Sequence, residues 1–229
     1  MRIFIARFRP PRRAFWVLPV LCLTFFLAVQ ESRTEPALSP ALFGKTVVID
    51  PGHGDWDPGV VGVDGVQEKD VNLAVSKNLC QLLRNSGAVV LCTRENDRLA
   101  YDNKQEDMQA RAALAKEADL FVSIHANSFP AAPDTCGAQI FYGAGNEEGK
   151  KLAQAIQEQC GLLLHSRRTA LAHPDAYLLK HTAAPAVIAE MGFLSNPQEA
   201  QALAGGDYQR QAAWALYVGI VNYFSESGG

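Results

Sequence analysis

Residues 47–54 read VVIDPGHG, and the rest of the chain is organised around this segment. Three β-branched apolar residues followed by Asp-Pro-Gly indicate a buried strand that ends abruptly. Pro51 removes a donor from the strand ladder and Gly52 tolerates positive φ, so the chain turns where His53 appears. Because open α/β sheets place their ligands at the carboxyl ends of strands, His53 is a candidate functional residue. A histidine that merely caps the strand is the alternative at this point.

The composition is that of an ordinary globular protein. The 229 residues are 48% hydrophobic and 20% charged. This length allows one domain of about 190 residues with a core of normal size, preceded by an N-terminal extension. The net charge is −3 and no basic stripe occurs beyond residue 13, so the sequence gives no electrostatic case for binding nucleic acid.

The N-terminus carries the pattern of an export signal. Five arginines precede an apolar run over residues 14–29, which form a positively charged n-region followed by an h-region. No clean small-x-small cleavage site ends this run, so residues 1–29 are predicted to be an uncleaved membrane anchor, with a cleaved signal as the alternative. The arginines place the extreme N-terminus in the cytoplasm and the rest of the chain outside. A linker over residues 30–43 then leads to a folded domain over residues 44–226.

The cysteines limit the thiol chemistry that the chain can support. The sequence contains Cys22, Cys80, Cys92, Cys136 and Cys160. None belongs to a Cys-x-x-Cys pair, so a thiolate zinc knuckle is not expected. Cys80 falls in a helical pattern and Cys92 in a predicted strand, where a single cysteine is commonly a small buried hydrophobe. A disulfide among the four domain cysteines is compatible with export, but the sequence does not determine a pairing.

Strands and helices alternate along the domain. After the first strand, strands are predicted at residues 88–93, 120–124, 138–142 and 185–189. Helices are predicted at residues 68–85, 108–118, 147–163, 197–204 and 208–224. The strand at residues 120–124 is almost fully apolar, which is typical of a strand buried on both faces of a parallel sheet. The alternation predicts an α/β fold, a three-layer sandwich with a mostly parallel, twisted central sheet flanked by helices.

Three predicted strands end in the same way, with an apolar run followed by a residue that can bind a metal or move a proton. These residues are His53, His125 and Glu190. Glu68 adds a fourth such residue at a helix N-terminus. Because the carboxyl ends of parallel strands meet at one edge of a sheet, we expect the four side chains to converge. Two histidines and one carboxylate are the ligand set of a catalytic zinc, and a further carboxylate can move the proton of the attacking water.

The three remaining histidines lie outside these motifs. His165 follows a predicted helix beside two arginines, and we expect it to be solvated. His173 and His181 precede the strand that ends at Glu190, close enough in sequence to line a cleft. Either could contact a substrate, and the sequence does not decide between that role and a structural one.

Four motifs together resemble a known enzyme family. They are VVIDPGHG at residues 47–54, EKD at residues 68–70, SIHANS at residues 123–128 and EMGFLSNP at residues 190–197. In this order they are similar to the signatures of the zinc-dependent N-acetylmuramoyl-L-alanine amidases of the third amidase family. That family hydrolyses the amide between the lactyl group of N-acetylmuramic acid and L-alanine of the stem peptide. The resemblance therefore implies that the substrate is peptidoglycan, as glycan strands that carry stem peptides.

The resemblance also implies roles for individual residues. One Zn²⁺ per chain would be held by His53, Glu68 and His125. Glu190 would be the catalytic carboxylate, and Asn127 and Asn196 would contact the substrate. Met191 replaces the Val that is more frequent in the family, and Asp55 stands where a Gly is common. Neither departure removes a proposed ligand.

A subgroup of the family is closer still. The short chain, the single N-terminal anchor and CGAQIFYG at residues 136–143 resemble the germination-specific amidases of the spore cortex. In that subgroup the reaction exposes a lactyl carboxyl that later becomes muramic-δ-lactam, and a vegetative cell-wall amidase is the alternative. Some relatives insert a helix that plugs the site between the positions of His125 and Glu190, and the intervening segment here leaves no room for one. We therefore expect control by the timing of synthesis or by an activating protein partner. The domain itself is expected on the outer side of the membrane, facing the wall or cortex.

Three other functions are alternatives to an amidase. A zinc carboxypeptidase requires a cationic clamp for a terminal carboxylate, for which Arg94, Arg98 and Arg111 are candidates, although none adjoins a ligand motif. A wall-binding module without activity is disfavoured because all four chemistry-bearing residues are present. A dinucleotide site is disfavoured because the Gly-His-Gly of residues 52–54 lacks the three-glycine spacing of that fingerprint.

Overall fold

The structure, a computed structural model, describes residues 39–227. This part of the chain contains six strands: β1 (Thr46–Pro51), β2 (Val89–Cys92), β3 (Leu120–Asn127), β4 (Gln139–Tyr142), β5 (Leu171–Ala172) and β6 (Ala186–Phe193). It also contains six α-helices: α1 (Glu68–Asn85), α2 (Lys104–Leu114), α3 (Glu147–Leu164), α4 (Tyr177–His181), α5 (Pro197–Ala204) and α6 (Gly206–Ser227). Short 3-10 helices occur at Val63–Gly65 and Ala115–Glu117.

The predicted anchor over residues 1–29 lies outside the described residues, as does most of the predicted linker over residues 30–43. Among the helices of residues 39–227, none has the length and apolar character needed to cross a membrane.

The six strands form one sheet with the order β2-β1-β3-β6-β4-β5. β1 pairs in parallel with β2 and β3, and β3 pairs in parallel with β6. β4 runs antiparallel to β6 and parallel to β5. The predicted α/β class and the mostly parallel sheet are therefore confirmed.

Side chains of β1 show how the sheet is covered on both faces. Val47 and Ile49 belong to the larger apolar cluster, which also contains residues of α1, α3 and α6. Val48 points to the opposite face and packs in a smaller cluster with residues of α2 and α4. Because successive side chains of a strand point to opposite faces, this alternation requires helices on both sides. The result is the three-layer arrangement that the alternating sequence pattern predicts.

Several elements have different bounds from those predicted. α2 begins at Lys104 rather than residue 108 because the Asn103 side chain accepts a hydrogen bond from the Glu106 amide and caps the helix. β3 and β6 extend beyond their apolar runs because the two strands continue to pair with each other as far as Asn127 and Phe193. His125 and Glu190 consequently lie inside strands rather than just after them.

Candidate active site

The turn after β1 is held by two buried guanidinium groups. Arg94 donates from Nε to the carbonyl of Pro51 at 3.0 Å and from Nη2 to that of Gly52 at 3.0 Å. Arg111 donates from Nη2 to the carbonyl of His53 at 2.9 Å. His53 adopts a left-handed backbone conformation with φ of 61°, which is unusual for a residue other than glycine. The two arginines therefore fix a turn that aims the His53 imidazole at the edge of the sheet.

These contacts also bear on the carboxypeptidase alternative. Arg94 and Arg111 are 6% and 4% exposed, and they bind main-chain carbonyls beneath the turn. Arg111 additionally pairs with Asp50, with Nη1 2.6 Å from Oδ1. Arg98 is exposed and does not line the cleft described below. Arg94 and Arg111 are therefore occupied by partners within the protein, and Arg98 lies away from the cleft.

Glu68 is the first residue of α1 and is 3% exposed. Its Oε2 accepts a hydrogen bond from the Val60 amide at 2.9 Å, and its Oε1 accepts one from the Ala126 amide at 3.3 Å. The positive end of the helix dipole favours a carboxylate at this position. Burial raises the pKa of Glu68, but the close contacts of its carboxylate with the imidazoles of His125 and His53 outweigh this effect and hold that pKa well below its ordinary value. Glu68 is therefore a fixed, ionised group.

The orientation of His125 is set by Ser123 and Asp50. Ser123 donates from Oγ to Oδ2 of Asp50 at 2.6 Å, since an ionised carboxylate can only accept. The single hydroxyl proton is thereby used, so Oγ of Ser123 accepts from Nε2 of His125 at 3.1 Å. This network assigns the proton to Nε2 and directs Nδ1 toward Oε1 of Glu68, 2.9 Å away.

His53, Glu68 and His125 converge on one point. Their ligand atoms all lie within 4.8 Å of one another. Oε1 of Glu68 lies 3.2 Å from Nε2 of His53 and 2.9 Å from Nδ1 of His125. The lone pairs of a carboxylate oxygen and of imidazole nitrogens repel each other at these distances unless a proton or a cation lies between them. Two imidazoles and a carboxylate in this arrangement are a donor set that suits a divalent metal ion with an open coordination position.

Two glycines make this close approach sterically feasible. A Cβ on Gly52 would lie 2.2 Å from Cε1 of His125. Gly59 has φ of 65°, and a Cβ there would lie 2.5 Å from Oε2 of Glu68 and 2.8 Å from Cδ2 of His53. Any side chain at either position would therefore displace one of the converging groups.

Glu190 faces the same point from the neighbouring strand. It pairs in register with His125 across β3 and β6, so both side chains project from the same face. Its Oε2 is buried and has no hydrogen-bond partner, which is costly unless a ligand or water supplies one. Burial raises the pKa of Glu190 to about 7; the positive charges of His125 and His53 oppose this shift, and the negative charge of Glu68 adds to it.

An open cleft of about 470 Å³ contains all four predicted residues. Its lining consists of His53, Asp57, Gly59, Val60, Glu68, Lys104, His125, Ala126, Asn127, Ser128 and Glu190. Two charged members were not expected. Oδ2 of Asp57 lies 2.9 Å from Nδ1 of His53, and Nζ of Lys104 lies 3.4 Å from the same Oδ2. Asp57 could have been expected in the cleft because it lies only four residues after His53 in the sequence. Nothing in the sequence indicates that Lys104 lies there.

The two asparagines predicted to bind substrate have different surroundings. Asn127 lines the cleft, and its Oδ1 accepts a hydrogen bond from the Ser128 amide at 2.7 Å. Asn196 is the N-cap of α5, where its Oδ1 accepts from the amides of Gln198 and Glu199 at 3.0 and 3.1 Å. Asn196 is not among the residues that line the cleft, and its contact with a substrate stays a prediction.

The other histidines lie outside the cleft lining. His181 stacks on the Tyr177 ring with centroids 4.0 Å apart, and the rings of His173 and Phe141 form a T-shaped pair. His165 ends α3 in a left-handed conformation and is exposed. No residue between 129 and 189 lines this cleft, whereas Tyr177, Leu178 and Ile188 line an adjoining cavity of about 220 Å³ that shares His53 and His125 with it.

Comparisons with known proteins agree with this geometry. Residues 47–222 match the family described as N-acetylmuramoyl-L-alanine amidase. The germination-specific N-acetylmuramoyl-L-alanine amidase of Bacillus subtilis is 37% identical over 226 residues, which cover 93% of this chain and 94% of that protein. The uncharacterized protein YqiI of the same organism is 36% identical and is covered over its full length, with 93% of this chain aligned.

Solved structures give the same result. The CwlD amidase of Clostridioides difficile, solved in complex with the GerS lipoprotein, superposes with a TM-score of 0.76 at 36% identity. The alignment covers 80% of this chain and 100% of that one. The chain thus shares its fold and most of its length with these proteins, and it belongs to the N-acetylmuramoyl-L-alanine amidase family.

Proposed function

We propose that the protein is a zinc-dependent hydrolase of peptidoglycan that cleaves the amide between the lactyl group of N-acetylmuramic acid and L-alanine. The observation that carries the proposal is the convergence of two imidazoles and a buried carboxylate within 4.8 Å, with a second carboxylate facing them across the cleft. Membership of the amidase family supports the same reaction.

In this proposal the metal is held by His53, Glu68 and His125. A bound zinc ion supplies a Lewis acid that polarises a carbonyl oxygen and acidifies water. The chain prepares the site for it through fixed donors. Nε2 of His125 is anchored by Ser123, and Oε2 of Glu68 is anchored by the Val60 amide, so neither ligand needs to reorient when the ion binds.

Glu190 is proposed as the group that moves the proton. Its Oε2 has no partner within the protein and can accept a proton from the attacking water. As the amide C–N bond breaks, the same oxygen returns that proton to the nitrogen of L-alanine, which leaves as an amine. The lactyl carbon retains the oxygen of water and leaves as a carboxylic acid.

The shape of the cleft supports a large, polar substrate. It is open along the site and lined by polar groups such as Asp57, Lys104 and Asn127. Since Oδ1 of Asn127 is occupied by the Ser128 amide, Nδ2 is the group that this side chain can offer to a carbonyl of the substrate.

A role in the spore cortex forms part of the proposal. It is supported by the similarity to a germination-specific amidase over nearly the full length of both chains. The similarity to an amidase solved with a lipoprotein supports a protein partner for this chain as well. Residues 1–29 are proposed to export the domain to the wall or cortex, anchored at the membrane.

Analysis of reaction products tests the proposed function. Purified protein is incubated with cortex peptidoglycan and with vegetative peptidoglycan, and the products are identified by mass spectrometry. We expect intact stem peptides with a free L-alanine amine and glycan strands with a free lactyl carboxyl, and none of either after chelation of the metal. Loss of a single C-terminal residue from the stem peptides would instead identify a carboxypeptidase. Faster cleavage of vegetative wall than of cortex would contradict the cortex assignment.

A further inference from the structure

Two cysteine thiols that the proposed reaction does not use lie in contact between α1 and the edge strand β2. Sγ of Cys80 and Sγ of Cys92 are 3.0 Å apart. Cys80 is buried in the fourth turn of α1, and Cys92 is the partly exposed last residue of β2. Neither residue lines the active-site cleft.

We propose that Cys80 and Cys92 become joined by a disulfide when the domain meets an external disulfide, the form of oxidant found in oxidising compartments. The sulfur atoms need to approach by only about 1 Å to reach the length of a disulfide bond. The pairing follows from this contact between a helix and a strand, which spacing in the sequence does not determine.

The surroundings of the pair favour the reaction. A surface pocket of about 270 Å³ adjoins both cysteines and is lined by Ser76, Arg84 and Glu95 among others, so a small disulfide can reach Cys92. The hydrogen bond from Cys80 and the charge of Arg84, whose Nη2 lies 3.7 Å from Sγ of Cys92, hold the pKa of Cys92 below the ordinary thiol value although burial opposes this. A thiolate at Cys92 is the nucleophile that disulfide exchange requires.

The disulfide forms by two successive thiol–disulfide exchanges. The Cys92 thiolate attacks one sulfur of the external disulfide, forms a mixed disulfide and expels one thiolate. The Cys80 thiol then loses its proton, and its sulfur attacks Sγ of Cys92 and expels the second thiolate. The protein loses two protons and two electrons, and the external disulfide is reduced to two thiols.

The cross-link would tether the outermost strand of the sheet. Within the part of the chain that the structure describes, β2 pairs with β1 alone, and its residues Val89 and Leu91 are 51% and 38% exposed. Exposed edge strands are prone to fraying and to pairing with other chains. A bond from Cys92 to the buried turn of α1 would hold β2 in place without altering the cleft.

Peptide mapping tests this proposal directly. Trypsin cleaves after Lys77, Arg84 and Arg94, so the two cysteines fall into separate peptides, residues 78–84 and 85–94. The full chain is incubated with oxidised glutathione, its remaining thiols are alkylated, and it is digested without reductant. We expect the two peptides to be recovered as one species that lacks two hydrogen atoms relative to their sum. Recovery of both peptides separately, alkylated or carrying glutathione on Cys92 alone, would overturn the proposal.

Two variants provide the controls. Cys136→Ser removes an exposed thiol and should leave the cross-linked species unchanged, whereas Cys92→Ser should abolish it. Reduction should lower the Tm of the oxidised wild type and of Cys136→Ser by about 6–12 °C, the loss expected for a loop of this length in a domain of this size. The Tm of Cys92→Ser should not respond to reductant. A wild-type Tm that is equally insensitive would contradict the proposal.

Discussion

Oγ of Ser123 lies 3.1 Å from Nε2 of His125, and this contact determines which nitrogen of the imidazole is free to bind a metal. Ser123 can accept from His125 only because its own proton is donated to Asp50. The register of the sheet holds the two donors and acceptors in place, because Asp50 and Ser123 are directly paired across β1 and β3.

Replacing Ser123 with alanine is therefore expected to weaken metal binding without unfolding the protein. The variant leaves His125 free to rotate and to take the other tautomer, and loss of such an outer contact typically costs about 10–100-fold in metal affinity. Competition for zinc with a chromophoric chelator measures the change. Ser225→Ala, at an exposed position on α6, is the control and should bind zinc like the wild type; equal affinity in Ser123→Ala would contradict the assigned tautomer.

Glu190→Gln should separate catalysis from metal binding. The amide is nearly isosteric with the carboxylate but cannot accept a proton, so we expect the turnover of peptidoglycan to fall by about 10²–10⁴-fold. Zinc content and Tm should change little because Glu190 is not among the proposed ligands. Glu158→Gln, on an exposed face of α3, provides a matched control. Normal turnover by Glu190→Gln would assign the proton transfer to another group.

Gly52→Ala tests the steric argument for the site. A Cβ at this position would meet the His125 ring at 2.2 Å, so the imidazole must move out of its place beside Glu68. We expect zinc affinity and activity both to fall by more than about tenfold. Gly161→Ala is the comparison, because its Cβ would lie 3.5 Å from its nearest neighbour and alanine favours the helix by about 0.5–1 kcal/mol. Full zinc affinity in Gly52→Ala would show that the ring is not confined as described.

The buried pair of Asp50 and Arg111 predicts a dependence of stability on pH. Burial raises the pKa of Asp50, but Arg111 and hydrogen bonds from Ser123 and Thr93 outweigh this effect and hold that pKa below its ordinary value. The stabilisation by ionised Asp50 is therefore complete above the pKa of about 3.9 in the unfolded chain and is lost as the pH falls through the folded-state pKa.

The free energy of unfolding, measured with urea for the wild type and Asp50→Asn, tests this dependence. The difference between the two proteins should be constant near neutral pH and should shrink below about pH 4. Asp102→Asn, at an exposed position, should show no such trend. A difference that persists unchanged at acidic pH would mean that Asp50 is not ionised in the folded state.

The sequence was sufficient to predict the fold class and the four residues that meet in the cleft. Both predictions depend on local patterns, namely apolar runs that end in His53, His125 or Glu190, and on the general rule that parallel strands end at one edge. Element bounds were less accurate where a cap or a pairing decided them. Asn103 extends α2 toward the N-terminus, and pairing between β3 and β6 carries both strands beyond their apolar runs.

What could not be predicted depends on contacts between distant segments. Arg111 reaches Asp50 across 61 positions of sequence, and Lys104 enters the cleft only because α2 packs beside the turn after β1. The contact of Cys80 with Cys92 likewise depends on how α1 lies on β2.

His53, Glu68 and His125 are proposed to share one metal ion, and the zinc content of the purified protein decides whether they do. Elemental analysis after loading with excess zinc and dialysis to remove the unbound ion should give about one zinc per chain for the wild type, as for sites of this ligand set. His53→Ala and His125→Ala should each retain almost none while keeping the circular dichroism of the folded protein, and His181→Ala should retain the full amount. A wild type that binds no zinc, or a full zinc content in His53→Ala and His125→Ala, would contradict the account.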